Sequence, residues 1–534
     1  MFKTGTADNY VDLLDELDDF LTATGSAFGL AYTGTGNGTF TSYKGGSASV
    51  AETFTITATS ATNFTVVGSV SGSLAAATAG TPYTGTKIQF TITAGGTAFV
   101  AGDVFTISTA PKWTSMRRAL GCAVDATQPS PGQGQIENIL DGKIAEDTSR
   151  DWDIDPGTSE TITFTFFAPE SIAEYAILQG GIGGYPTAWT FEYWSGASWT
   201  VIDTRSGQGA WGSNEYRSFA IASPPFASQY RIVITGFSSA FQLRIQAMAL
   251  RRAVGGHDVA FGQCIWKAPG NDGDSEIFVG VHTFRRVDID YFNWELAAFD
   301  GFTASQRFYD QPGRHSMLYV PLWNDPIPYW FVVNGRRVIV IAKVNTQYEI
   351  AYLGFIDPFF SPNQMPYPMA LGGTLALGDI LAGGGTLWDN TAWRWSNSTD
   401  KHRLPTHSDT PNGALPQDAR VNQMRARAID GQYWGFRSSR ADGYTGITAG
   451  EHVIRPYVED FNQLDVNLDG SYSLWPVELC HAAPNIFGIL DGIRAIAGQG
   501  VTSETLVRKG VVDWIVVPNI TRTDRNDFCV VALD

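Results

Sequence analysis

Thr161-Ile162-Thr163-Phe164-Thr165-Phe166-Phe167 alternates small polar with large apolar residues, and the same habit returns in Tyr175-Ala176-Ile177-Leu178 and in Trp189-Thr190-Phe191-Glu192-Tyr193-Trp194. A period of two sends one set of side chains inward and the other to water, the pattern of a half-buried antiparallel strand. Working outward, Asn138-Ile139-Leu140-Asp141-Gly142 and Trp152 come before this stretch. Ser198-Trp199-Thr200-Val201-Ile202, Arg217-Ser218-Phe219, Tyr230-Arg231-Ile232-Val233-Ile234 and Leu243-Arg244-Ile245-Gln246 come after it. Short strands separated by Gly- and Ser-rich turns predict a compact β-sandwich over residues 135–250.

That order of segments resembles the discoidin-like, galactose-binding-like jelly roll. The acidic-glycine loop at Asp141-Gly142, Trp199 followed by Asp203, and the Tyr230–Ile234 strand carry the resemblance. It implies a module that binds or docks, with a structural calcium near Asp141-Gly142. A fold of this kind carries no chemistry of its own, so function has to be argued from sites.

The rest of the composition sets the frame. A chain of 534 residues exceeds a single core. Abundant Gly, Thr and Ser with 17% charged residues describes strands and loops with few helices. The fold class expected is mainly β and multidomain: antiparallel β-sandwiches or jelly rolls with one short N-terminal α-helix. A formal charge of −17 speaks against wrapping nucleic acid, which needs clustered Lys and Arg. Cys122, Cys264, Cys480 and Cys529 show no metal or disulfide spacing and read as buried thiols. The start, Met1-Phe2-Lys3-Thr4, lacks the pattern of a signal peptide, and no apolar run is long enough to span a bilayer. Synthesis in a cytoplasm is the expectation.

Residues 7–23 form an amphipathic helix with Val11, Leu14, Leu17 and Leu21 on one stripe and Asp12, Asp15, Glu16, Asp18 and Asp19 opposite. Such a stripe wants a cover, from its own chain or from a neighbouring subunit, and subunit contact is the working hypothesis. Residues 47–110 alternate Thr with Phe, Ile and Val and read as a small inserted sandwich. Glu52-Thr53-Phe54-Thr55-Ile56-Thr57, Phe64-Thr65-Val66-Val67-Gly68 and Gly102-Asp103-Val104-Phe105-Thr106 resemble a module inserted in tailed-phage structural proteins. The expected domains are 1–46 (helix and arm), 47–110, 111–254 (the jelly roll) and 255–534, with a possible subdivision near 375–460.

Beyond residue 254 aromatics become dense. Asn334-Gly335 predicts a two-residue hairpin with φ > 0 at both centres, leading into the apolar strand Arg336–Val344. The stretch Asp357 to Pro368 holds too many prolines for a sheet and reads as an extended surface arm. Residues 1–35 and 255–534 resemble tailed-bacteriophage virion proteins. The resemblance is carried by Trp330–Val344, by the Pro-rich arm, by Asn485–Gly492 and by the closing Arg522–Phe528. It implies copies of this chain and other virion proteins as partners, and residence in the virion after synthesis in a bacterial host.

Chemical motifs are scarce. Nucleotide-binding, nucleophile-elbow and zincin patterns are missing, and Gly180–Gly184 lacks a strand-to-helix setting. His402 and His407 share a polar loop without a third ligand, and Asp288 with Asp290 is a chance carboxylate pair. Asp465, Asn467 and Asp469, followed by Gly470, match the opening of a calcium loop, but Pro476 stands where a bidentate Glu belongs. A polar turn is the alternative, and no cofactor beyond a structural Ca2+ is expected. Among Trp189, Trp194, Trp199 and Trp211, strand positions favour the core. Tyr185 and Trp211, in Gly-rich loops, are the candidates for stacking on sugar. The expectation is a non-enzymatic structural subunit of a tailed-phage particle, in the tail or baseplate. The alternatives are a receptor- or carbohydrate-binding adsorption protein that meets a host-surface glycan, and a polysaccharide-active enzyme with an appended binding module.

Overall fold

The computed structural model describes residues 1–128, 136–140, 152–155, 157–179, 184–212, 215–239, 242–269, 276–286, 291–373, 375–376, 424–427, 431, 433–438, 452–456, 467–481, 485–518 and 528–534. The protein is mainly β and built of several antiparallel sheets, and Tyr10–Ala23 is the one α-helix among the described residues.

The expected sandwich stands in the middle of the chain. One sheet has the order Cys122–Ala126, Glu160–Ser171, Phe226–Phe237, Pro186–Trp194, Trp199–Arg205. The other runs Trp152–Ile154, Leu243–Arg251, Glu174–Gln179, Tyr216–Ala220. Ile162, Phe164 and Phe166 point into the core while Thr163 and Thr165 face out, as the alternation requires. Trp152, Tyr175, Trp189, Phe191 and Tyr230 fill the interior. Their polar atoms are satisfied there: Trp189 Nε1 donates to Tyr175 Oη at 2.7 Å, which donates to Asp203 Oδ2 at 2.7 Å.

The small sandwich begins at Ser26, so the boundary expected at 46/47 falls inside it. Ser26–Thr33 pairs with Val104–Ala110, and Thr39–Gly45 pairs with Ile88–Thr93. These two strands bring Leu30 and Phe40 into one core with Phe90 and Phe105. Gly29, at φ 68°, interrupts their alternation and disguises them as an arm. Asp103 ties the loop end. Its carboxylate accepts from the N–H groups of Thr35, Gly36 and Val100 and from the Tyr32 hydroxyl. Those bonds, the Thr35 N–H first, hold its carboxyl down at about 2.

Around these two modules lies the largest unit. Thr114–Leu120 pairs with Gly262–Ala268, so this strand belongs here and not to the middle sandwich. Its sheet continues through Ile277–Arg286, Tyr291–Phe299 and His315–Leu322. A 14-stranded sheet packs against it, starting with Phe2–Ala7, Ile327–Val333, Arg337–Val344 and Gln347–Phe355 and ending at Leu506–Lys509.

The helix fills the space between these sheets, which corrects the subunit-contact hypothesis. Val11, Leu14, Leu17 and Leu21 are buried with Trp113, Trp266, Trp294, Phe331 and Leu353 of their own chain. The acidic side is anchored as well. Asp18 accepts from Trp266 Nε1 at 2.6 Å and from Ser115 Oγ at 2.8 Å, and Asp15 pairs with Arg118. Asn9 caps the helix, its Oδ1 accepting from the N–H of Val11 and Asp12. Period alone tells which face is apolar; it cannot tell whose surface covers that face.

Two further expectations change in detail. The hairpin at Asn334-Gly335 closes over four residues, because Val333 is the register partner of Val338. Asn334 donates its N–H to Arg337 O, and its Oδ1 accepts from the N–H of Arg336 and Arg337, so a side chain does the work expected of a two-residue turn. The arm is not wholly outside a sheet: Asp357-Pro358 pairs with Gly488-Ile489 before the chain runs on over its own surface. A two-residue pairing off the main strand order leaves room for the missing proline N–H.

Candidate functional site

The outer face of the five-stranded sheet in the middle sandwich carries two half-buried tryptophans at the end of one hairpin. Trp194 and Trp199 are register partners at the end of a hairpin whose turn, Ser195–Ser198, is exposed. Ser195 Oγ shapes that turn by donating to Ser198 O at 2.8 Å and accepting from its N–H at 3.1 Å. The two rings lie 5.5 Å apart at 62°, both half-buried. Arg231, from the neighbouring strand, places its guanidinium 4.3 Å from the Trp199 ring centre. Glu192 fixes that guanidinium by an ion pair at 2.7 Å, and Thr190 Oγ1 donates to Glu192 Oε1 at 2.7 Å. The group therefore has a fixed geometry: Thr190 orients Glu192, Glu192 orients Arg231, and Arg231 steadies Trp199. A half-buried indole beside donors and acceptors can stack on a flat apolar surface and bond the hydroxyls around it.

The candidates favoured by sequence behave differently. Trp211 is 7% exposed, so it is no platform. It lies 6.5 Å from Trp189 on one side, with Arg217 4.3 Å over its ring on the other. Arg217 straps the Gly-rich loop down, pairing with Glu215 at 2.6 Å and donating to Ala210 O at 2.7 Å. Tyr185 is half-buried against the sandwich core, its N–H donating to Ser238 Oγ at 2.8 Å. A Gly-rich loop signals backbone freedom, and an arginine on the next strand can cancel that freedom. The signal for Trp194 and Trp199 was their symmetrical placement around Ser-Gly-Ala-Ser, which makes them cross-strand partners at a hairpin tip.

No metal centre emerges from the sequence candidates. Asp465 lies outside the described residues, as do Asp141-Gly142, His402, His407, Asp288 and Asp290. Asn467 and Asp469 spend their oxygens within their own turn. Asp469 Oδ1 accepts from the N–H and the hydroxyl of Ser471, and Asn467 Oδ1 accepts from Ser473 Oγ. Those bonds, the Ser471 hydroxyl first, lower the Asp469 carboxyl. Among the described residues no three His, Cys, Asp or Glu converge to hold an ion. Cys122, Cys264 and Cys529 are free and buried, and burial pushes the Cys264 thiol well up.

No family model and no curated protein matches this chain. Solved structures resemble about a quarter of it. A family 32 carbohydrate-binding module from C. perfringens NanJ, in complex with galactose, is 16% identical, with 24% of this chain and 92% of that one covered at a TM-score of 0.21. The family 32 carbohydrate-binding module from Streptococcus pneumoniae EndoD is 16% identical over 26% of this chain and 100% of its own, at 0.22. The corresponding module of AlyQ, in complex with 4,5-unsaturated mannuronic acid, is 22% identical over 26% and 99%, at 0.21. What this chain's sandwich binds has to come from its own side chains.

Proposed function

We propose that this chain is a carbohydrate-binding protein that works by binding and not by catalysis, with the outer sheet face of the middle sandwich as its contact surface. One observation carries the reading: the Trp194–Trp199 pair at the hairpin tip, held by Arg231 and Glu192 in a half-exposed position. Two indoles left half in water, though a large aromatic core lies one layer away, are unused apolar surface with polar neighbours. The chain's negative charge and the pairing of Arg231 with Glu192 favour this over nucleic acid. The sequence resemblance to tailed-phage virion proteins supplies a setting, adsorption to a host-surface glycan. Of the two subunit contacts that a purely structural tail role invoked, the helix stripe and the Pro-rich arm, the helix stripe is buried by this chain itself.

The test is a broad glycan array probed with the full chain, followed by titration of any hit with Trp199→Ala and Trp194→Ala. Retained secondary structure with affinity reduced at least about tenfold is expected for Trp199→Ala. An array without hits, or hits indifferent to both substitutions, would sink the reading.

A further inference from the structure

The face that holds the two tryptophans extends well beyond them. Asp125, Thr163, Arg231, Glu192 and Val201 are successive register partners, one from each of the five strands. Four inter-strand steps of roughly 4.8 Å make this row about 19 Å long. Beside it run two parallel rows, Ala123–Thr165–Gln229 and Thr161–Val233–Thr190–Thr204. The residues along the middle row other than Glu192 are exposed or half-buried, and the row ends at the first and last strands of the sheet order, so nothing in that order walls off either end.

We propose that this face binds a linear, uncharged polysaccharide laid across the strands, taking an internal stretch of the chain and not its terminal sugar. The inference rests on the carbohydrate-binding reading and adds the class and orientation of the ligand. Among the described residues the row is open at both edges, with no pocket in which a chain end would be distinguished. The charge balance selects a neutral ligand. The face's cation, Arg231, is ion-paired with Glu192, while Asp125 at one end adds an exposed carboxylate that repels a polyanion. The threonines at 161, 163 and 165 each offer a hydroxyl that both donates and accepts, which suits a ligand made of hydroxyls. The fixed Arg231–Trp199 stack means little side-chain freedom is lost on binding.

The experiment is calorimetric titration of the full chain with neutral linear polysaccharides (β-glucan, galactan and mannan), with oligosaccharides of increasing length cut from them, and with a polyuronate. The expected result is binding to a neutral polymer with affinity that climbs by about tenfold or more from the shortest to the longest oligosaccharide. Thr163→Val, in the row between Asp125 and Arg231, and Thr165→Ala, at an exposed position in the adjacent row, should each weaken the long ligand more than the short one. If a sugar binds through Trp199 with the same affinity at every length, the cross-strand path is wrong and only the carbohydrate-binding reading stands. Tighter binding of the polyuronate would overturn the neutral assignment in the same way. Failure of every glycan to bind would remove both proposals together.

Discussion

The guanidinium of Arg337, wholly withdrawn from solvent, lies 3.0 Å from the carboxylate of Asp491. Asp534 completes the arrangement at 2.8 Å, and Asn334 Nδ2 donates to Asp491 Oδ2 at 3.0 Å. Burial alone would raise the Asp491 carboxyl, but Arg337 and Arg336 pull it below the ordinary carboxylate range. Two motifs that look unrelated in the sequence, Asn334-Gly335-Arg336-Arg337 and Leu490-Asp491-Gly492, thus form one lock. Gly492, at φ 73°, passes so close to the guanidinium that a Cβ would sit 2.2 Å from Arg337 Nη2.

Arg337→Met should therefore leave Asp491 with only Arg336 as a cation and Asp534 without its side-chain partner, and cost about 3–5 kcal/mol. Urea unfolding of the full chain, followed at the tryptophans, measures the loss. A change below about 1 kcal/mol would show that the carboxylates find water instead.

Leu14→Ala should cost about 2–5 kcal/mol, because the side chain is fully enclosed between two sheets that cannot collapse onto a cavity together. Leu14→Asp should abolish soluble expression. A folded Leu14→Asp protein with a defect only in assembly would instead return the stripe to a role between subunits.

Stability should fall on acidification below about pH 6.5. Burial, with Arg314 and Arg117 nearby, lowers the His282 imidazole to about 3, so the unfolded chain takes up a proton that the fold refuses. Stability from this group is complete above about 6.5 and drains away as pH drops towards 3. It amounts to about 2 kcal/mol lost by pH 5. His257, lowered to about 3, and His315, lowered to about 4, act in the same direction. Urea midpoints at pH 7 and pH 5 should differ less in His282→Gln than in the parent; equal differences would exclude His282 as a contributor.

Two deletions should behave oppositely. Removing residues 26–110 and joining the flanks by a short linker takes out a whole sandwich whose first and last residues, Ser26 and Ala110, are register partners. That protein should stay soluble with little change in melting temperature. Removing 47–110 leaves Ser26–Thr33 and Thr39–Gly45 without their partner strands and exposes Leu30 and Phe40, so it should aggregate. Equal behaviour of the two would mean that the strands at 26–45 pack elsewhere.

The mainly β class and the middle sandwich were legible because alternation is a local signal: Thr161–Phe167 declares its own inner and outer faces. The apolar stripe of the helix was legible in the same way. What covers it was not, since Trp266 and Phe331 lie far along the chain and nothing in a heptad encodes a distant partner. The site followed the same division. Trp194 and Trp199 were visible as aromatics, but Arg231 and Glu192, which hold one of them, meet only when three strands assume their register. Trp211 was misplaced because Arg217, on the strand that follows the Gly-rich loop, folds back over its ring, a contact that alternation does not announce.

The placement of the helix between sheets also sets an order of events during synthesis. Phe2–Ala7 and the helix leave the ribosome well before the strand Ile327–Val333 that pairs with one and packs on the other, which arrives some three hundred residues later. At about 5–20 residues per second, the gap lasts on the order of 15–60 s. Through that interval both sandwiches can close on their own, while an uncovered leucine stripe waits on the nascent chain. The window of risk for misassociation is thus built into the topology, and it ends only when the hairpin at Asn334 has been made.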